Sequence, residues 1–381
     1  KNTNNKSNSN LKADLDLNKD LKIDKDKVFV CIKNMQQWDK YKQKILNSDI
    51  IALDTETTSL NIQKAELVGF SIGWSDCAIY VPIMHDEQDI GIVEELDFEN
   101  KDNNKDNKIN FDINIDKNKI LQDLKEICES KRIAKIGQNI KYDLEVLANY
   151  DIKLENIKFD TMIASFILDS GKNKHDLDTL AKKHLNYACT SFEDIAGKGV
   201  KQKTFNQIPI SQAYLYAAED AYITFKLYEC FDDKLKLDKI SNTIFEQQEM
   251  PLVDIIAKME LDGVELDIEI LDRQGAKLTS ELSKLQQNIW DIAKSEFNID
   301  SPKQLIDILY EKMGLPILSK TPKGQPSTSE SALSKLAETY EIASLILTYR
   351  HYAKLKNTYI DKLPKLVDKK TNRLHANFHQ T

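Results

Sequence analysis

IIALDTETTSLNIQKAELVGFSIGWSDCAIYVPI (50–83) holds three apolar runs separated by short polar breaks. IIALDTET (50–57) is an apolar run ending in acids, and LVGFSIGW (67–74) and AIYVPI (78–83) read as two strands joined by a tight turn at Ser75, Asp76 and Cys77. These predict three strands in meander order. Downstream, KILQDLKEICE (119–129) has a helical period, RIAKIG (132–137) reads as a strand, and a helix is expected from about Asn139. Alternating strands and helices argue for an α/β domain, a mixed sheet with flanking helices.

The pattern turns helical from about 161 to 230, including DLDTLAKKHL (176–185) and SQAYLYAAEDAYITFKLYE (211–229), and the domain is expected to close near 235. Longer helices follow at 246–263 and 269–297. Ser301 with Gln304, and Ser327 with Glu330, form capping-box patterns ahead of two further helices, and the Pro- and Gly-containing stretch 314–329 between them reads as a loop. A second, mainly α-helical region is therefore expected. Residues 1–27 are rich in Asn, Lys and Asp without periodicity, which predicts a disordered polar linker, and 94–119 reads as a solvated polar insertion. The expected organisation is linker 1–27, first domain 28–235 with the insertion, and helical region 236–381.

At 381 residues the chain has room for two or three domains with cores of their own. Lys and Arg total 53 against 61 Asp and Glu, a net charge of −8, which excludes a uniformly cationic nucleic-acid coat but not a local basic surface. No apolar run approaches the roughly 20 residues of a membrane span. The five cysteines form no CxxC pair or zinc-ligand cluster, which argues against a zinc site or disulfide framework and fits reduced thiols in the cytoplasm. The opening KNTNNKSNSN, without Met or a signal sequence, suggests a piece of a longer polypeptide.

The acids are where chemistry enters. Asp54 and Glu56 sit two apart at the end of a predicted strand, so both side chains project from one face. Asp143 lies just inside a predicted helix, and Tyr216 and Asp220 lie one helical turn apart. Each has an ordinary reading alone: a solvated surface triplet, a charge favoured by the helix dipole, a core aromatic and an exposed acid. Together, four acids on three elements would supply ligands for two divalent cations, the arrangement that activates water and stabilises a leaving oxygen in phosphodiester hydrolysis.

This constellation resembles the DEDDy-class 3′-to-5′ proofreading exonuclease of the bacterial family A (polymerase I type) DNA polymerases. LDTETTSL (53–60), IGQNIKYD (136–143) and YAAEDAYIT (216–224) look like the three exonuclease motifs, and KHDLDTLAKKHL (174–185) and IAGKGVKQKTFNQI (195–208) resemble the segments between the second and third. EMPLVDIIAKMELDGVELD (249–267) looks like the start of the polymerase domain, SPKQLIDILYEKMGLP (301–316) and TPKGQPSTSESAL (321–333) resemble its thumb, and RLHANFHQT (373–381) resembles the segment before the palm. The similarity covers about 45–381. The family's palm and finger motifs have no counterpart, so the resemblance implies a fragment that does not polymerise, from a parent that does.

The resemblance implies that Asp54, Glu56, Asp143 and Asp220 are ligands of two Mg²⁺ ions, with Mn²⁺ or Zn²⁺ as substitutes, and that Tyr216 and Glu56 position the attacking water. It implies that Leu60, Asn139, Met162 and Phe192 contact a frayed 3′ end of DNA; the residue types alone also fit core packing. Eight basic residues against two acidic ones between 350 and 373, Arg350, Lys354 and Lys356 among them, suggest a phosphate-facing thumb surface, or simply a solvated face. A monomer acting on single-stranded or frayed DNA and on primer-template duplex is expected. Two alternatives stand beside this: an RNA-directed, ribonuclease D-like nuclease, and a catalytically silent DNA-binding module.

Overall fold

The computed structural model describes residues 21–86, 113–171 and 174–381. They divide into one unit made of residues up to 261 together with 377–381, and a second from 262 to 376. Residues 1–20 of the expected linker and 94–112 of the expected insertion lie outside the described residues.

The first unit is built on a six-stranded mixed sheet. Its strands are β1 (Phe29–Cys31), β2 (Ile50–Thr57), β3 (Leu67–Gly73), β4 (Ala78–Pro82), β5 (Ala134–Gly137) and β6 (Ile157–Asp160). They lie in the order β1-β4-β3-β2-β5-β6. The expected meander is present: β2 pairs antiparallel with β3, and β3 with β4, while β5 adds parallel to β2 and β6 to β5. Every residue of β3 and β4 is buried, so the sheet is covered on both faces at its centre. Ile51, Leu53, Phe70 and Ile72 lie in one core with Ile120, Leu124 and Val146 from the covering helices Lys117–Cys128 and Ile140–Ala148.

The longest helix, Ile210–Leu237, contacts β1 through β5. A Cβ on Gly73 would stand 2.4 Å from the Ala221 carbonyl oxygen, so glycine is what permits helix and strand to touch there. That close approach occurs one residue after Asp220 and sets its height over the sheet.

Two strands, β1 and β6, are not evident in the sequence; at three and four residues they are too short to show a period. The linker expectation fails at its C-terminal end. The Leu21 N–H donates to the Leu185 carbonyl, Lys25–Val28 forms a helical turn, and Lys25 Nζ lies 2.7 Å from buried Glu219. Polar composition concealed an attachment made by backbone and by one lysine. The insertion also ends earlier than expected, since the helix begins at Lys117.

The second unit is helical, with a core of Ile289, Leu305, Leu309, Leu333, Leu336 and Ile346. Its long helix is Ile268–Ala293. Ser301 caps the next helix by accepting from the Gln304 N–H, but the Gln304 side chain accepts from Asn298 instead of returning to Ser301. The later cap is Ser329, with Ser327 accepting from the Ser329 N–H, so that helix starts two residues beyond the expected box.

Candidate active site

Asp54 and Glu56 point from the same face of β2 because strand residues alternate. Asp220 is brought over that face by the Ile210–Leu237 helix. One carboxylate oxygen from each of Asp54, Glu56 and Asp220 falls within 4.8 Å of the others. Asp143 is not one of that trio, although its charge raises the pKa of Glu56 and it feels Asp54 in turn. Its carboxylate Oδ1 accepts from the Thr55 N–H at 2.8 Å and the Thr55 hydroxyl at 2.6 Å. Thr55, the middle residue of the triplet, thereby ties the second acidic element to the first.

The helix carrying Asp143 begins at Asn139, which adopts a left-handed conformation (φ 60°, ψ 45°) that asparagine tolerates better than most residues. Asn139 makes no side-chain cap. Buried Asp160 supplies it: Oδ2 accepts from Ile140, while Oδ1 accepts from Met162 and Ile163 at the start of Thr161–Asp169. One carboxylate thus caps two helices.

Tyr216 donates to Asp220, and its ring lies 6.1 Å from those of both Phe192 and Phe205. Burial, with the charges of Asp220, Glu56 and Asp54, pushes the phenol pKa far up, so Tyr216 stays protonated. Leu60, Asn139 and Met162 line one cavity together with Tyr142, Phe378 and His379. Leu60 is 90% exposed. Phe192 is not part of that cavity and stacks instead on Phe205. In the second unit Arg350 donates to the Thr328 carbonyl and Lys356 pairs with Asp361, whereas Lys354 is exposed.

Three residues escaped the sequence reading: Thr55, Asp160 and His85. The first two act through contacts to residues distant in the chain, which no local pattern announces. His85 belongs to no motif.

Burial raises the pKa of all four acids, and the strongest charges on Glu56 are the other three carboxylates. For Asp54 the value rises from 3.8 to about 7. Clustered hard oxygen donors whose main electrostatic neighbours are one another fit a divalent cation, which would relieve their repulsion. The sign follows from linkage. Acids with raised pKa bind protons in the fold that the unfolded chain has released, so the metal-free fold loses stability as pH rises from about 4 through about 7. Saturating Mg²⁺ should raise the unfolding midpoint by at least about 4 °C at pH 8 and by under about 1 °C at pH 5, where protons compete for the ligands. Differential scanning calorimetry at the two pH values checks this; equal shifts would contradict it.

Comparison with known proteins agrees with this architecture. Residues 29–236 match the family model for a 3′-5′ exonuclease, and 268–381 match that for DNA polymerase family A. The chain is 41% identical to DNA polymerase I of Pseudomonas aeruginosa over 347 residues, which covers 90% of this chain and 36% of that protein. It is 36% identical to DNA polymerase I of Rhizobium leguminosarum over 361 residues, covering 92% and 34%. The chain therefore spans about a third of the length of the curated relatives it matches. A solved structure of the POL domain of Pol1 from M. smegmatis, in complex with DNA primer-template and dNTP, aligns with a TM-score of 0.66 at 18% identity, over 90% of this chain and 51% of that one. That likeness is one of fold.

Proposed function

The chain belongs to the 3′-5′ exonuclease family, and from that premise we propose that it removes nucleotides from the 3′ end of DNA as the proofreading portion of a DNA polymerase I. The observation that carries the reading is the convergence of Asp54, Glu56 and Asp220 within 4.8 Å, with Asp143 adding its charge beside them. Asp54, Glu56, Asp143 and Asp220 would hold a pair of Mg²⁺ ions, which supply charge stabilisation for the phosphodiester and an activated water when bound.

The chain's own residues then have distinct tasks. Tyr216 keeps its proton and points it at Asp220, so toward any other partner its oxygen can only accept; a water beside it is turned with one hydrogen toward the phenol. Glu56 accepts the second hydrogen, which leaves a lone pair of that water facing the scissile phosphate. Leu60, Asn139 and Met162 would receive the frayed end, and stacking of roughly 1–3 kcal/mol per base would hold it without regard to sequence. A mispaired end has already met part of the cost of unpairing, so it enters more readily. Phe192 would contribute through the ring cluster that supports Tyr216.

We assign the exonuclease domain to 28–235 and the thumb-like region to 236–381, with Arg350, Lys354 and Lys356 on its phosphate-facing side and a monomer acting in the cytoplasm. No helix of the described residues is long and apolar enough to cross a membrane.

A 5′-labelled single-stranded oligodeoxynucleotide incubated with the chain and Mg²⁺ should give a ladder that shortens from the 3′ end and stops on adding EDTA. The matching oligoribonucleotide should be trimmed at least about tenfold more slowly, a difference of ~1.4 kcal/mol in barrier. Faster trimming of RNA would favour a ribonuclease D-like enzyme, and DNA binding without any ladder would favour a silent module.

A further inference from the structure

Behind Tyr216 lies a hydrogen-bonded clamp that the reaction described above does not use. His85 follows β4 and bridges two elements: its Nε2 is 2.7 Å from the Tyr80 hydroxyl and its Nδ1 is 3.2 Å from the Ile208 carbonyl oxygen. The next residue fastens the same segment, since the Asp86 N–H donates to the Asn206 carbonyl and the Asn206 amide donates to Asp86 Oδ1. Between these ties sits Phe205, 2% exposed, in a short turn closed by a capping box of Thr204 and Gln207. Its ring lies 6.0 Å from His85, 6.3 Å from Tyr80 and 6.1 Å from Tyr216.

The direction of each proton follows. A carbonyl oxygen only accepts, so Nδ1 carries the ring proton and Nε2 accepts from the Tyr80 hydroxyl. Burial lowers the His85 pKa to about 4, so the ring is neutral near pH 7 and this tautomer persists. Tyr80 is fully buried on β4 and its hydroxyl lies over Gly69, where a Cβ would come within 2.2 Å. Gly69 is the register partner of Glu56, and the charge of Glu56 acts on the Tyr80 phenol. The imidazole fixes the direction of the Tyr80 O–H, which points at His85.

We propose that His85 is a positioning residue for the exonuclease reaction, holding Tyr80 and Phe205 as the surface against which Tyr216 is aimed. The inference rests on the function proposed above. It makes His85 act through Tyr216, with no contact to DNA.

The test is a double-mutant cycle on 3′ trimming, with kcat and KM measured separately and folding followed by thermal melting. His85→Ala should lower kcat about tenfold while KM stays within about twofold, and in a Tyr216→Phe background the same change should cost less than about twofold. Tyr80→Phe keeps the ring and removes one hydrogen bond; it should give about a threefold loss that likewise shrinks beside Tyr216→Phe. If His85→Ala does not fold, the Tyr80→Phe cycle decides. Equal losses in both backgrounds, or unchanged kcat, would overturn the inference while the wild-type chain still trims. A wild-type chain that does not trim overturns the exonuclease reading, and this inference with it.

Discussion

Replacing Asp54 and Glu56 together by alanine should slow 3′ trimming by about four orders of magnitude, ~5.4 kcal/mol of barrier, while raising the thermal midpoint of the metal-free protein. Both effects come from one cause. The two carboxylates leave one face of β2 toward a point that Asp220 also reaches. In the metal-free fold that convergence is costly, since burial raises the pKa values of all three and the charge of Asp54 raises those of Glu56 and Asp220 further. Removing two of them deletes the repulsion, as often happens when a strained site is neutralised. It also deletes the donor set that would bind the cations, so the stabilisation by Mg²⁺ described above should vanish. Asp54→Ala alone should cost nearly as much activity as the double variant, because residues that hold one site act as a unit. DNA affinity should survive, since the cavity lined by Leu60, Asn139 and Met162 is not lined by Asp54 or Glu56. Trimming rates on denaturing gels, melting curves with and without Mg²⁺, and fluorescence anisotropy with a labelled oligonucleotide give the three readouts. Trimming within about tenfold of the unaltered chain would show that the acids are not the catalytic centre.

The parts of this site that were legible in the sequence are those written in short-range pattern. The runs that became β2, β3 and β4 are five to eight residues long, enough for strand character and turn signals to show. Asp54 and Glu56 share a face through strand alternation, and Tyr216 and Asp220 through helical periodicity, and both relations survive in three dimensions. What the pattern could not show was closure. Thr55 bonds Asp143 across 88 positions, and Asp160 reaches back 20 to cap Ile140. Neither partner has a local signature, because a threonine in a strand and an aspartate before a helix both have sufficient local reasons to be there. The linker reading failed for a related reason. Lys25 belongs to a polar segment by composition, yet it pairs with Glu219, which is fully buried one position before Asp220. Composition describes how a segment would behave in solvent and is blind to a single buried partner.

Asp160 carries the other large effect, and it is one of stability. Its side chain is 1% exposed, and its two oxygens accept from Ile140, Met162 and Ile163 at 2.8, 2.8 and 3.2 Å. Burial raises its pKa, and backbone N–H bonds from those residues and from Asn139 oppose the rise. A helix N-terminus leaves its first N–H groups without partners, and here one carboxylate serves two such ends. Asp160→Ala should therefore cost about 3–4 kcal/mol, the sum of two lost caps near 1 kcal/mol each and of N–H donors left buried and unpaired. Asp160→Asn should cost roughly half of that, since the amide keeps one acceptor and turns a donor toward the other helix end. Urea unfolding with an unchanged m-value would register both as shifts of midpoint. Activity should fall as well, because Asp143 stands in the first turn of one capped helix and Met162 in the first turn of the other. Loosening either end moves an acid or a wall of the cavity proposed to take the DNA end by a fraction of an ångström, and kcat should decline more than KM rises. A loss of under about 1 kcal/mol for Asp160→Ala would mean that water or neighbouring groups satisfy the two helix ends, and that Asp160 does not set the spacing between the second acidic motif and the cavity beside it.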